Sequence, residues 1–258
     1  MTEVAPTPVP RDRNIARQQR FWTRQAASWD HGASNNPGLV KVVNKVVEAS
    51  EANPHEAAVD LGCGSGQVTL ALAGKVSSVL AIDVSEKMIR LLLDNARSAG
   101  IANVEGRAVP IEQLDFAPSS IDLVVSNYAL HHLRDADKEA VVRSVYAWLR
   151  PGGRFVIGDM MFGRGGDSRD REIIASKLSL LLKKGPGGWW RIAKNAGRYV
   201  LRFQERPVSM GAWERMFEGA GFSPVEAITV VNEAAVVKGT KPGGQGGGAR
   251  DGRGASAG

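Results

Sequence analysis

Cysteine is almost absent. Cys63 stands alone among 258 residues, so no internal disulfide can form and a reducing, cytoplasmic setting is expected. Long apolar runs are missing too: no stretch reaches the ~18 uncharged apolar residues that a membrane span requires. The first twenty residues carry Arg11, Arg13, Arg17 and Arg20 without an apolar core, so no secretory signal is expected. No repeat of roughly 20–50 residues recurs, which excludes solenoids and propellers. Histidine is scarce, and half of the four sit side by side as His131-His132. No third histidine or cysteine lies at ligand spacing to them, so no metal site is expected.

The chain is otherwise ordinary: 43% apolar and 23% charged, as in globular domains. Its length suits one α/β domain with additions. The net charge of +6 raises the question of nucleic acid or an anionic membrane. The charge is unevenly placed. Residues 164–206 hold eleven basic and four acidic residues, a net +7, and subtracting this from +6 leaves −1 for the rest.

Pro6, Pro8 and Pro10 mark 1–12 as a disordered N-terminus. Nine glycines among the last twenty residues mark 239–258 as a disordered tail. The domain is expected over 13–238. Between about 57 and 161, strands alternate with helices. Ala57–Leu61, Ser78–Ile82, Asn103–Ala108, Ile121–Ser126 and Arg154–Met161 read as strands. Gln67–Ala73 reads as a helix. Ser85 caps another, carrying Met88, Leu91, Leu92 and Ala96 on one face. Asp137 is expected to cap a third, which ends at Pro151-Gly152-Gly153. This is the pattern of parallel βαβ units in a doubly wound sheet. Met210–Gly219 reads as a last helix. Val225–Val231 and Ala234–Lys238, joined tightly at Asn232-Glu233, must be antiparallel.

The most informative stretch is Val59-Asp60-Leu61-Gly62-Cys63-Gly64-Ser65-Gly66. Glycines after a buried strand let the backbone turn sharply and approach a ligand. A dinucleotide fingerprint would put its third glycine at 67, which is Gln67, and no Lys-Ser/Thr follows at P-loop spacing. Asp83 ends the second strand, where a carboxylate can accept bonds from two vicinal ribose hydroxyls.

These stretches, followed by Ser126-Asn127-Tyr128-Ala129-Leu130-His131-His132-Leu133 and Leu149-Arg150-Pro151-Gly152-Gly153, resemble a class I S-adenosylmethionine (SAM)-dependent methyltransferase. They are most similar to the group containing the ubiquinone/menaquinone C-methyltransferases. The resemblance implies a Rossmann-like, seven-stranded sheet with a C-terminal antiparallel pair and a helical lid insertion over 164–206. It implies that Asp60, Gly62, Gly64 and Gly66 line the methionine end of SAM and that Asp83 holds the ribose. It further implies Val84 and Met88 on the adenine, Arg107 and Ala108 at its edge, and Asn127 beneath the sulfonium. Many relatives carry an acidic residue where Arg107 stands, and arginine cannot accept the bond that the adenine amino group offers.

Some of these residues also have plainer readings. Cys63 fits the turn because it is small, not because it is a nucleophile. Trp22 and Trp29 read as core of an N-terminal helix, or as cover for the cofactor. His131 and His132 read either as packing or capping the short helix after the fourth strand, or as touching substrate or cofactor; for a hydroxyl or acidic-carbon acceptor, His131 or His132 is the best-placed base. In 164–206, Trp189, Trp190, Ile192, Tyr199 and Phe203 form an aromatic stripe beside the basic face. This stripe suits a lid over an apolar substrate, a lid packed on its own domain, or peripheral contact with a membrane surface. The expected activity is methyl transfer to a small-molecule or lipid-like acceptor, by C- or O-methylation. The alternatives are a SAM-binding accessory module without activity and an RNA methyltransferase. The latter is disfavoured because Asn127 is followed by Tyr128-Ala129 rather than Pro-Pro-Tyr.

Overall fold

Strand β1 (Ala57–Leu61), apolar but for Asp60, is buried from Ala58 onward, because strands flank it and helices cover both faces of the sheet. It pairs with β2 (Ser78–Asp83) on one side and β4 (Ile121–Asn127) on the other. The computed structural model describes residues 13–163, 171, 172, 175, 179 and 206–243. With β3 (Val104–Ala108), β5 (Leu149–Met160), β6 (Val225–Val231) and β7 (Ala234–Thr240), the strands form one seven-stranded sheet. Its order is β3-β2-β1-β4-β5-β7-β6. Only β7 runs against its neighbours, so the expected α/β sheet with a C-terminal antiparallel pair is present.

Helices cover both faces. On one, α5 (Asp135–Trp148) and α6 (Met210–Ala220) bury Trp148, Trp213 and Phe217 with Phe155 and Phe222. On the other, α2 (Pro37–Ser50) and α3 (Gln67–Ala73) bury Val42, Val46, Val68 and Leu72. α4 (Glu86–Ser98) packs Ile89 and Leu92 near the glycine turn. Its cap forms as expected, with Ser85 Oγ accepting from Met88 N.

Other boundaries differ from the sequence reading. α2 was not foreseen; Asn36 caps it by accepting from Gly38 N and Leu39 N, with Pro37 in the first turn. α5 starts two residues before Asp137, whose carboxylate instead accepts from Arg134 at 2.6 and 3.0 Å. β5 begins at Leu149, because that residue pairs with Ile121 across a register shift. β7 continues through Gly239 to Thr240. Gly239 is therefore part of the sheet, not the tail. A Cβ there would stand 2.4 Å from Phe217 Cδ1.

No helix among the described residues is long and apolar enough to cross a membrane. The lid segment, its aromatic stripe and the membrane reading fall almost wholly outside the described residues. So do residues 1–12 and most of the tail.

Candidate functional site

Sheet order reverses between β1 and β4, and open α/β sheets bind ligands at the carboxyl ends of such strands. A cavity of about 90 Å³ opens there. Its floor is the turn after β1. Gly62 N and Cys63 N both donate to Ile82 O, at 2.8 and 2.9 Å, which folds the turn over the end of β2. Gly62 has φ +74°, and a Cβ on it would come within 2.2 Å of Ala129 Cβ. Only glycine lets the turn and the loop after β4 meet.

Two carboxylates are buried beside this turn. Asp60 is 1% exposed. Its Oδ2 accepts from Thr69 Oγ1 at 2.6 Å, but burial still pushes its carboxyl up to about 7, against the Thr69 bond and with help from the Asp83 charge. Asp83 Oδ2 accepts from Gly64 N at 3.1 Å and Oδ1 from Ser85 N at 2.8 Å. Burial raises it to about 6, opposed by these backbone bonds. Asp83 therefore also ties the glycine turn to the start of α4. Burial, reinforced by the charges of Asp83 and Asp60, pushes the Cys63 thiol up. Cys63 lines the cavity as a neutral thiol, not a nucleophile.

Beyond β4, Tyr128 adopts φ +50°, a conformation that costs a non-glycine residue roughly 1 kcal/mol or more. A bond from its N to Gly158 O at 2.8 Å holds it there. Burial, with Asp159 and Glu233 nearby, raises the Tyr128 phenol, so it stays protonated as a donor.

The cavity wall includes Asp60, Gly62, Gly64, Asp83, Val84, Met88, Asn127 and His132 from the sequence reading. Four other expected residues lie elsewhere. Gly66 faces α4, and a Cβ on it would come 2.0 Å from Leu92 Cδ1. Arg107 is exposed and donates through Nε to Glu105 Oε1 at 2.8 Å; the two share one face of edge strand β3 because side chains alternate. Ala108 is exposed at the end of that strand. His131 is buried behind the wall, on Asp159.

The wall also contains residues that the sequence reading missed. Ile15, Gln18 and Trp22 come from α1 (Arg13–Ser34), Leu39 from α2, and Ile111 and Glu112 from a short 3₁₀ turn after β3; Tyr128 joins them. Glu112 brings a carboxylate to the cavity, where the resemblance had pointed to position 107. Trp22 is half-buried and lines the cavity. The Trp29 side chain lies outside the described part of the chain.

Three buried side-chain oxygens among the described residues have no hydrogen-bond partner: Asp60 Oδ1, Ser65 Oγ and Asn127 Oδ1. All three residues line this one cavity. Unpaired buried acceptors are costly, and their convergence marks a site built for a ligand that brings donors.

The comparisons agree with this geometry. Residues 58–153 match a family model described as "Methyltransferase domain". A carboxy-S-adenosyl-L-methionine synthase of Shewanella sp. (strain MR-7) is 26% identical over 72% of this chain and 77% of its own. A ubiquinone/menaquinone biosynthesis C-methyltransferase of Vibrio vulnificus (strain YJ016) is 27% identical, over 58% and 60% respectively. Residues 58–153 thus carry a methyltransferase domain, and the chain is similar to class I SAM-dependent methyltransferases. A geranyl diphosphate C-methyltransferase from Streptomyces coelicolor A3(2) shares the fold of this methyltransferase. Its TM-score is 0.62 at 14% identity, over 91% of this chain and 100% of that one.

SAM suits the orphaned atoms, since it offers an ammonium group, two ribose hydroxyls and an adenine amino group. Among the described residues no cluster of His, Cys, Asp and Glu is built for a metal ion. Gly66 shapes this methyltransferase through packing. Gly66→Ala is expected to cost about 2–4 kcal/mol, from overpacking on the buried Leu92 and from φ +98°. A lowered urea midpoint at unchanged slope would register it; an unchanged midpoint would contradict it.

Proposed function

We propose that this methyltransferase moves the SAM methyl group to carbon or oxygen of a small-molecule or lipid-like acceptor, with His132 as the base. The observation that carries the reading is the shared wall: the orphaned atoms of Asp60 and Asn127 and the His132 imidazole face one cavity. Asp60 Oδ1 is free to accept from the ammonium group, Asp83 from the ribose hydroxyls, and Asn127 lies beneath the sulfonium. Val84 and Met88 pack on the adenine, and Glu112 is available to its amino group. SAM supplies an electrophilic methyl on a positively charged sulfur. The protein chiefly aligns acceptor and donor, and such positioning can supply up to ~7–11 kcal/mol. Ile15, Trp22, Leu39, Ile111 and Leu133 give the rest of the wall an apolar character, which favours a hydrophobic acceptor. An acceptor with a hydroxyl or acidic carbon needs its proton removed, and His132 is the wall's one imidazole.

The test is labelled-methyl transfer from SAM into a cell extract, followed by mass identification of the product. Appearance of carboxylated SAM instead would redirect the assignment toward the chemistry named for the Shewanella relative. His132→Gln is expected to slow transfer about 100-fold or more while leaving S-adenosylhomocysteine affinity within about twofold. Full-rate transfer by that variant would remove the base.

A further inference from the structure

We propose that Asp159 and His131 form a buried positioning pair that sets the His132 ring toward the acceptor. This inference rests on the reading of His132 as the base. Asp159, near the end of β5, is fully buried, and a leucine there would pack without the cost of an interior carboxylate. Its oxygens are all used. Oδ1 lies 2.5 Å from His131 Nδ1 and accepts from Met160 N at 2.7 Å, and Oδ2 accepts from His131 N at 3.0 Å. A carboxylate only accepts, so the Nδ1 proton sits on His131 and its tautomer and ring plane are fixed.

The fixed ring then acts on its neighbour. The His131 and His132 rings lie 3.9 Å apart, tilted by 48°. His132 also meets Trp22 with ring centroids 5.1 Å apart at 65°, so the wall imidazole touches two rings. The backbone is held as well. His131 O accepts from Arg206 N at 2.6 Å, and His132 O accepts from Gln18 Nε2 at 2.8 Å. The adjacent histidines thus take separate parts: His132 reaches the cavity, and His131 carries the rigidity of β5 to it. No proton transfer through the pair is required.

The test is a double-mutant cycle with initial rates of labelled-methyl transfer into the accepting extract fraction. His131→Asn keeps an N–H near the Nδ1 position but removes the ring. Asp159→Asn keeps the shape but loses the carboxylate. Each is expected to lower the rate about 10–100-fold with S-adenosylhomocysteine affinity, by calorimetry, within about twofold. Adding His131→Asn to His132→Gln should cost nothing further. In the S-adenosylhomocysteine complex, His131→Asn should also move the His132 ring-proton resonances, a readout that needs no acceptor. Should Asp159→Asn fail to fold, His131→Asn alone decides. Full rates with an unmoved His132 ring, or losses that multiply in the double variant, would overturn the proposal while leaving the base intact. Full-rate transfer by His132→Gln would instead remove the base itself, and the pair's role with it.

Discussion

Asp83→Ala is expected to weaken S-adenosylhomocysteine binding about 100-fold or more, measured by calorimetry. Two charge-assisted bonds to ribose hydroxyls, at roughly 1.5–3 kcal/mol each, set that scale. The same carboxylate holds Gly64 N and Ser85 N, so the variant also loosens the glycine turn that floors the cavity. Folding should suffer less than binding. Burial raises the Asp83 carboxyl to about 6, so the ligand-free protein holds this charge at a cost that alanine removes. Asp83→Asn keeps the shape and one acceptor and should fall between the two. Calorimetry showing near-normal affinity for Asp83→Ala would exclude the ribose contact.

Cofactor affinity should fall steeply on acidification, while the ligand-free fold gains stability from the same two groups. Asp60 is pushed up to about 7 and Asp83 to about 6, in each case chiefly by burial. Unfolded, both ionise near the ordinary carboxylate value of about 3.9. Below that value both states are protonated, and the contribution to stability is fully present. It is lost as the pH rises through about 6 and then 7, because the folded state must then bury charge that the unfolded chain leaves in water. A cation reverses the balance. The ammonium and sulfonium charges of SAM favour ionised Asp60 and Asp83, so binding near pH 5 must expel protons that binding near pH 8 need not. Affinity should drop by up to about tenfold per pH unit for each group once the pH passes below its value. Asp60→Asn should bind weakly at pH 8 and show a shallower slope between pH 8 and 6. An identical slope in Asp60→Asn would detach the effect from Asp60.

Much of this site follows from local pattern. The glycines after β1, Asp83 at the end of β2 and the Ser85 cap are set by neighbouring residues and strand ends. They were legible without tertiary information, as was the final antiparallel pair. Other features depend on contacts across the fold. His131 and His132 are adjacent in the chain, and only the 3₁₀ turn and the position of Asp159 give them different surroundings. The left-handed backbone of Tyr128 has no local signature, since no glycine or asparagine stands there. Glu112 was missed because the loop after β3 is long enough to shift which carboxylate faces the cavity. Arg107 could have been placed by strand alternation, which puts it on the same face as Glu105. The α2 signal was present in Asn36-Pro37 and the valines after it, but that segment lies ahead of the alternating pattern that organised the reading.

The bond from Arg206 N to His131 O ties the returning chain to the turn after β4. Lys138 Nζ, fully buried, also donates to Arg206 O at 2.7 Å. Upstream, Met161 N is fixed to Glu233 O at 2.9 Å. The chain therefore leaves β5 at Met161 and returns beside His131 at Arg206, each end held by a main-chain bond. With its N on His131 and its O on Lys138, the Arg206 peptide staples α5 to the turn after β4 without using its own side chain.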